Sequence, residues 1–124
     1  MLRVIVADDD ADTRELVTLA LRSTAAEIRV VNNGAELLQQ TRDCGPFDLI
    51  ITDIQMPIME GLEAIAAIRA LGIDTPVLVM TGHADASMAA MPARNFALLR
   101  KPFQVSELRG LVAHLIASTD DEAT

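Results

Sequence analysis

Five short apolar runs recur along the chain, and most end abruptly at polar or charged residues. Val4-Ile5-Val6-Ala7 runs into Asp8-Asp9-Asp10, Leu49-Ile50-Ile51-Thr52 into Asp53, and Val77-Leu78-Val79-Met80 into Thr81-Gly82. Ala97-Leu98-Leu99 runs into Arg100-Lys101-Pro102, while Ile28-Arg29-Val30-Val31 alternates more, as a strand nearer a sheet edge does. Near-continuous apolar character over four or five residues marks strands covered on both faces. The pattern predicts strands over 2–7, 28–31, 48–52, 77–80 and 97–99.

Helical segments fill the gaps. The first, over 11–23, has an Asp-rich entry suited to the positive end of a helix, with Leu16, Leu19 and Ala20 on one face. Asn32-Asn33-Gly34 signals a turn and the start of a helix over 34–43, which Gly45-Pro46 stops. Gly61 opens a helix over 61–70 with Leu62, Ile65 and Ala66 as its face, and Gly72 and Asp74-Thr75-Pro76 break it. Residues 86–91 are weakly helical and meet Pro92, so a fourth helix there is expected to be short or irregular. The last, over 105–117, has the cleanest period: Leu108, Leu111, Val112, Leu115 and Ile116. A single domain over 1–118 is expected, with 119–124 as an acidic polar tail that frays. Strands alternating with helices predict right-handed βαβ units, hence an α/β, doubly wound parallel sheet with helices on both faces.

Composition narrows the classes. A chain of 124 residues makes one domain. Half of the residues are apolar but only three are aromatic, all phenylalanine, so the core is aliphatic. No apolar run approaches the roughly 20 residues of a membrane span. A strand-like pattern begins within two residues of Met1, so no signal peptide is expected and the expected location is cytoplasmic. The net charge of −8 argues against nucleic acid as a direct partner. Cys44 stands alone, which excludes an internal disulfide.

The chemistry gathers at the strand ends. Among ten basic residues there is one lysine, Lys101. Ligands of open parallel sheets bind beyond the carboxyl ends of the strands. Those ends would present carboxylates, a hydroxyl and one ammonium, a set suited to a divalent metal and a phosphoryl group. Three converging carboxylates repel unless a cation sits among them. Mg²⁺ takes oxygen ligands and keeps several waters, so few protein donors suffice.

From Arg3 to about Ile116 the chain resembles the receiver domain of two-component response regulators. The resemblance rests on Asp8-Asp9, on Asp53 in Asp-Ile-Gln-Met-Pro-Ile-Met-Glu-Gly, on Thr81-Gly82, and on Lys101-Pro102-Phe103. It implies a five-stranded (βα)5, flavodoxin-like sheet of order 2-1-3-4-5. It implies a phosphoacceptor, with Asp53 taking a phosphoryl group from the phosphohistidine of a histidine kinase or histidine phosphotransferase. Asp8, Asp9, Asp53 and the backbone carbonyl of Gln55 would hold Mg²⁺; Thr81 and Lys101 would bind phosphoryl oxygens. Gly82 would leave room for the phosphoryl group, Gln55 and His83 would flank it, and the Lys101–Pro102 bond would be cis. The chain would be no enzyme beyond self-catalysed phosphoryl acceptance and dephosphorylation. With no effector domain after Ser118, output is expected through protein contacts, and Ile58 and Met59 are candidates either for exposed contacts beside the site or for half-buried loop packing.

The chain departs from the pattern at Leu98, where most receivers carry an aromatic switch residue. Phe96 is expected on the opposite strand face. Without an aromatic ring at 98, phosphorylation is expected to act by ordering the 83–96 segment as Thr81 closes on the phosphoryl group. Glu60 replaces the usual Asp before the glycine. His114 is expected to be a surface or packing residue. Two other classes remain: a small Mg²⁺-dependent phosphohydrolase with an aspartyl nucleophile, and a pseudo-receiver acting only as an interaction module. The first would want a second acid where this chain has Gln55. The second would lack one of the acidic, Thr or Lys positions, and none is missing.

Overall fold

In a computed structural model, which describes residues 2–22, 27–82 and 95–123, all five apolar runs are strands. They are β1 (Arg3–Ala7), β2 (Glu27–Val31), β3 (Leu49–Asp53), β4 (Val77–Thr81) and β5 (Phe96–Arg100). All pair in parallel, in the order β2-β1-β3-β4-β5. Every residue of the central strands β3 and β4 is buried, which is why their sequences show no alternation. The edge strand β2 is only partly covered, and its mixed pattern follows from that.

Four helices are described: α1 (Ala11–Leu21), α2 (Gly34–Cys44), α3 (Gly61–Ala70) and α4 (Val105–Ala123). α1 is capped by Asp10, whose carboxylate accepts from the Asp12 amide (3.2 Å) and the Thr13 hydroxyl (2.8 Å). At the start of α2, Asn33 accepts from the Glu36 amide at 2.8 Å and the Glu36 carboxylate reaches back to the Asn32 amide at 3.3 Å. That reciprocal pattern satisfies two free donors at the helix entrance.

The sheet separates two aliphatic layers. α1 and α4 cover one face with Val17, Ala20, Leu21, Leu108, Val112 and Leu115 over Val4, Val6, Ile51 and Met80. α2 and α3 cover the other with Leu37, Ala64, Ile65 and Ile68 over Ile5, Ala7, Ile50 and Val79.

Four sequence expectations are corrected in detail. α1 is turned so that Leu19 is half exposed and Val17 and Leu21 are buried instead. On α3, Ala66 is exposed and Ala64 and Ile68 are buried. α4 continues to Ala123 rather than ending near 117, since neither Gly nor Pro interrupts the sequence after Gly110. Phe96 packs in the α2–α3 layer while Ala97 and Leu99 pack in the other, so period-two alternation puts Phe96 on the same face as Leu98, not opposite. The expected short helix at 86–91 lies outside the described residues.

Candidate functional site

Register brings the strand ends together. Ala7 pairs with Thr52, Asp53 with Met80, and Thr81 with Arg100, so Asp8, Asp53 and Lys101 emerge at one edge of the sheet. Asp8 is fully buried, Asp53 nearly so, and Asp9 is exposed. One carboxylate oxygen from each of the three lies within 4.8 Å of the others.

Lys101 reaches into this cluster. Its Nζ donates to Asp53 Oδ2 at 2.9 Å and to Asp8 Oδ2 at 3.1 Å. Asp8 Oδ1 accepts from the Asp10 amide at 2.9 Å, and Asp53 Oδ1 from the Gln55 amide at 3.3 Å. The Lys101 amide donates to the Thr81 carbonyl at 2.7 Å, and the Lys101–Pro102 peptide is cis, as expected.

The protonation equilibria show what the cluster lacks. Burial pushes the Asp8 carboxyl above its ordinary range; hydrogen bonds from the Asp10 amide and Lys101 oppose this, and the Asp53 charge adds to it. Burial works against the Lys101 ammonium, but its bonds to Asp53 and Asp8 outweigh that and hold its pKa above the usual value. Asp8 is thus raised chiefly by its burial, and Lys101 by the two carboxylates it bridges. A hard divalent cation fits this donor set, which is all oxygen, close-spaced, and open to water on the Asp9 side.

The response regulator receiver domain model matches residues 4–113. The chain belongs to the response regulator receiver family. Across 98% of its length it is 34% identical to the transcriptional regulatory protein PrrA of Mycobacterium tuberculosis, covering 53% of that protein. It is 32% identical to the response regulator MprA of Mycobacterium ulcerans over 98% of this chain and 54% of that one. The chain therefore spans about half the length of these relatives. Among solved structures, the chemotaxis response regulator CheY4 of Vibrio cholerae superposes with a TM-score of 0.80 at 28% identity, covering 93% of this chain and 98% of that one. The receiver domain of the Francisella response regulator 1452 gives 0.82 at 25% identity, covering 96% and 99%.

Within this receiver domain, the expected residues fall into three groups. Asp8, Asp9, Asp53 and Lys101 are brought together. Thr81 is buried at the end of β4, Gly82 follows it exposed, and among the described residues, its chain neighbours apart, no atom lies within 4 Å of where a Gly82 Cβ would stand. Gln55 is exposed beside Asp53, while Leu98 is 40% exposed on β5, paired with Val79. His83 lies outside the described residues. Two residues to which sequence reasoning gave no role at the site also brace it. Arg14 Nη1 donates to the Asp8 carbonyl at 3.0 Å and also to the Asn32 side chain. Gly61 packs against the Asp53 carbonyl so tightly that a Cβ there would stand 2.0 Å from that oxygen. A glycine directly after an acidic residue at a helix start was the available signal for the second.

Proposed function

We propose that this receiver domain accepts a phosphoryl group on Asp53 from a phosphohistidine, with Mg²⁺ held by Asp8, Asp9, Asp53 and the Gln55 carbonyl. The observation that carries the reading is the Lys101 ammonium bridging Asp53 and Asp8 beside an all-oxygen donor set. An Asp53 carboxylate oxygen attacks phosphorus, the P–O bond forms as the P–N bond breaks, and the electron pair returns to the imidazole nitrogen, which takes up a proton. A Mg²⁺ bound here supplies positive charge to the phosphoryl oxygens. As Asp53 becomes an acyl phosphate its charge passes outward, and Lys101, 2.9 Å away, follows that charge to the phosphoryl group. The Thr81 hydroxyl donates to a phosphoryl oxygen, and the bare backbone at Gly82 leaves space beside it. Dephosphorylation reuses the same groups with water as acceptor.

The partner upstream is a histidine kinase or histidine phosphotransferase, and the signal leaves through protein contacts. None of the described helices is long and apolar enough to cross a membrane. Profiling phosphotransfer from a panel of phosphorylated histidine kinases, with Mg²⁺ or with EDTA, tests the reading. Fast, metal-dependent transfer from one or a few kinases is expected. Turnover of a small phosphate ester with no transfer from any kinase would favour a phosphohydrolase instead.

A further inference from the structure

The β2–α2 turn contributes no group to the carboxylate cluster, yet it ties together two loops that do. On one side Arg14 joins the Asn32 side chain to the Asp8 carbonyl. On the other, the Gly34 amide donates to the Met59 carbonyl at 2.9 Å. The fit at Gly34 excludes any side chain. A Cβ there would stand 2.3 Å from the Met59 carbonyl oxygen, 2.8 Å from its carbon and 3.0 Å from the Glu60 oxygen. All three are backbone atoms, so none can rotate aside.

The loop held in this way is strained. Ile58 has φ 71°, and the Met59 amide donates to the Pro57 carbonyl at 2.7 Å across it. This is a γ-turn of the positive-φ kind, which is rare and costly, and a β-branched residue suits it worst. Ile58 is 85% exposed, so packing offers little in return. Backbone strain of this kind persists only where the surroundings over-determine it. The determinants are at the two ends. The Gly61 amide donates to the Ile54 carbonyl at 2.9 Å and closes the neck, and Gly34 holds the far side. Between them lies Gln55, whose amide steadies Asp53 Oδ1.

We infer that Gly34 is a positioning residue for the Mg²⁺ site: by pinning Met59 it fixes the 55–60 loop, and with it the Gln55 carbonyl and the Asp53 carboxylate. This rests on the assignment of the carboxylate cluster as a Mg²⁺ site. Supporting groups one layer behind metal ligands change affinity by about 10–100-fold when lost. The gap between Gly34 and Met59 leaves only two responses to an added methyl: the turn recoils or the loop does.

The test uses Gly34→Ala, Ile58→Gly and the double variant, each measured for Mg²⁺ affinity by calorimetry and for Tm without Mg²⁺. Gly34→Ala should lower Tm and weaken Mg²⁺ binding about tenfold. The Mg²⁺ concentration for half-maximal phosphorylation should rise by the same factor. Ile58→Gly frees the γ-turn, so in the double variant the loop yields to the new methyl. Tm should then recover while Mg²⁺ binding stays weak. Recovery of both together, or Mg²⁺ binding unchanged in Gly34→Ala, would show that Gly34 serves the fold alone. An unsubstituted chain that binds no Mg²⁺ would overturn the metal assignment itself, and this inference with it.

Discussion

The Lys101 ammonium lies 2.9 Å from the Asp53 carboxylate, across 48 positions of sequence. One cation thus holds the carboxylate proposed as the acceptor, and would be within reach of a phosphoryl group attached there. The same cation also bonds the buried Asp8, so the resting site is a triad of two acids and a base.

Lys101→Met tests that triad. Breaking a buried ion pair by removing one partner costs about 3–5 kcal/mol, but the Lys101 side chain is 23% exposed and the acids can protonate or draw water. A loss of roughly 1–3 kcal/mol in denaturant unfolding is expected after discounting for that exposure. Added Mg²⁺ should recover part of it. Phosphoryl acceptance should fall by roughly 10²-fold or more, the usual loss for one donor to developing charge. An unchanged unfolding midpoint would mean the triad contributes nothing to the resting fold.

Asp8→Asn tests the burial of this carboxyl through pH. The folded-state pKa of Asp8 lies above its ordinary value of 3.8, chiefly through burial. A group raised in the folded state contributes stability that is present below the unfolded pKa and is lost as pH rises through the folded one. Without Mg²⁺, Asp8→Asn should therefore gain stability relative to the parent as pH climbs from about 4 to neutrality. Mg²⁺ should stabilise the parent and not the variant. A stability difference that stays flat with pH would contradict the raised pKa.

Gly61→Ala and Gly82→Ala form a pair with opposite outcomes. A Cβ at Gly61 meets the Asp53 carbonyl at 2.0 Å, whereas among the described residues, its chain neighbours apart, nothing lies within 4 Å of one at Gly82. Forcing an atom into a packed backbone costs typically 1–3 kcal/mol, so Gly61→Ala should lose about 3 kcal/mol in thermal or urea unfolding. Gly82→Ala should stay within about 0.5 kcal/mol of the parent. Equal losses at the two positions would refute the packing argument.

Much of this was readable in the chain because the signals were local. The apolar runs fully buried in β3 and β4 read as central strands, and β3 ended at Asp53, one of the clustered acids. Asp8, Asp53 and Lys101 were legible for the same reason: sheet register carries strand ends to one edge. The rotation of α1 was not, since Leu16, Leu19 and Ala20 make as good an apolar stripe as Val17, Ala20 and Leu21. Only packing against α4 and the sheet decides between them. Asn32-Asn33-Gly34 announced a helix start and nothing more. That Gly34 touches Met59 depends on two loops meeting, which no spacing within either one encodes. The function of Arg14 is hidden likewise, because its partners are a backbone carbonyl and the turn after another strand.

The most direct test of the central claim is the site of phosphorylation itself. The parent chain and Asp53→Ala are incubated with a phosphorylated cognate kinase and Mg²⁺, and hydroxylamine-labile phosphate is mapped by mass spectrometry. The account predicts one phosphoryl group on the parent, carried by the peptide containing Asp53, and none on the variant. Undiminished hydroxylamine-labile labelling of Asp53→Ala would contradict it.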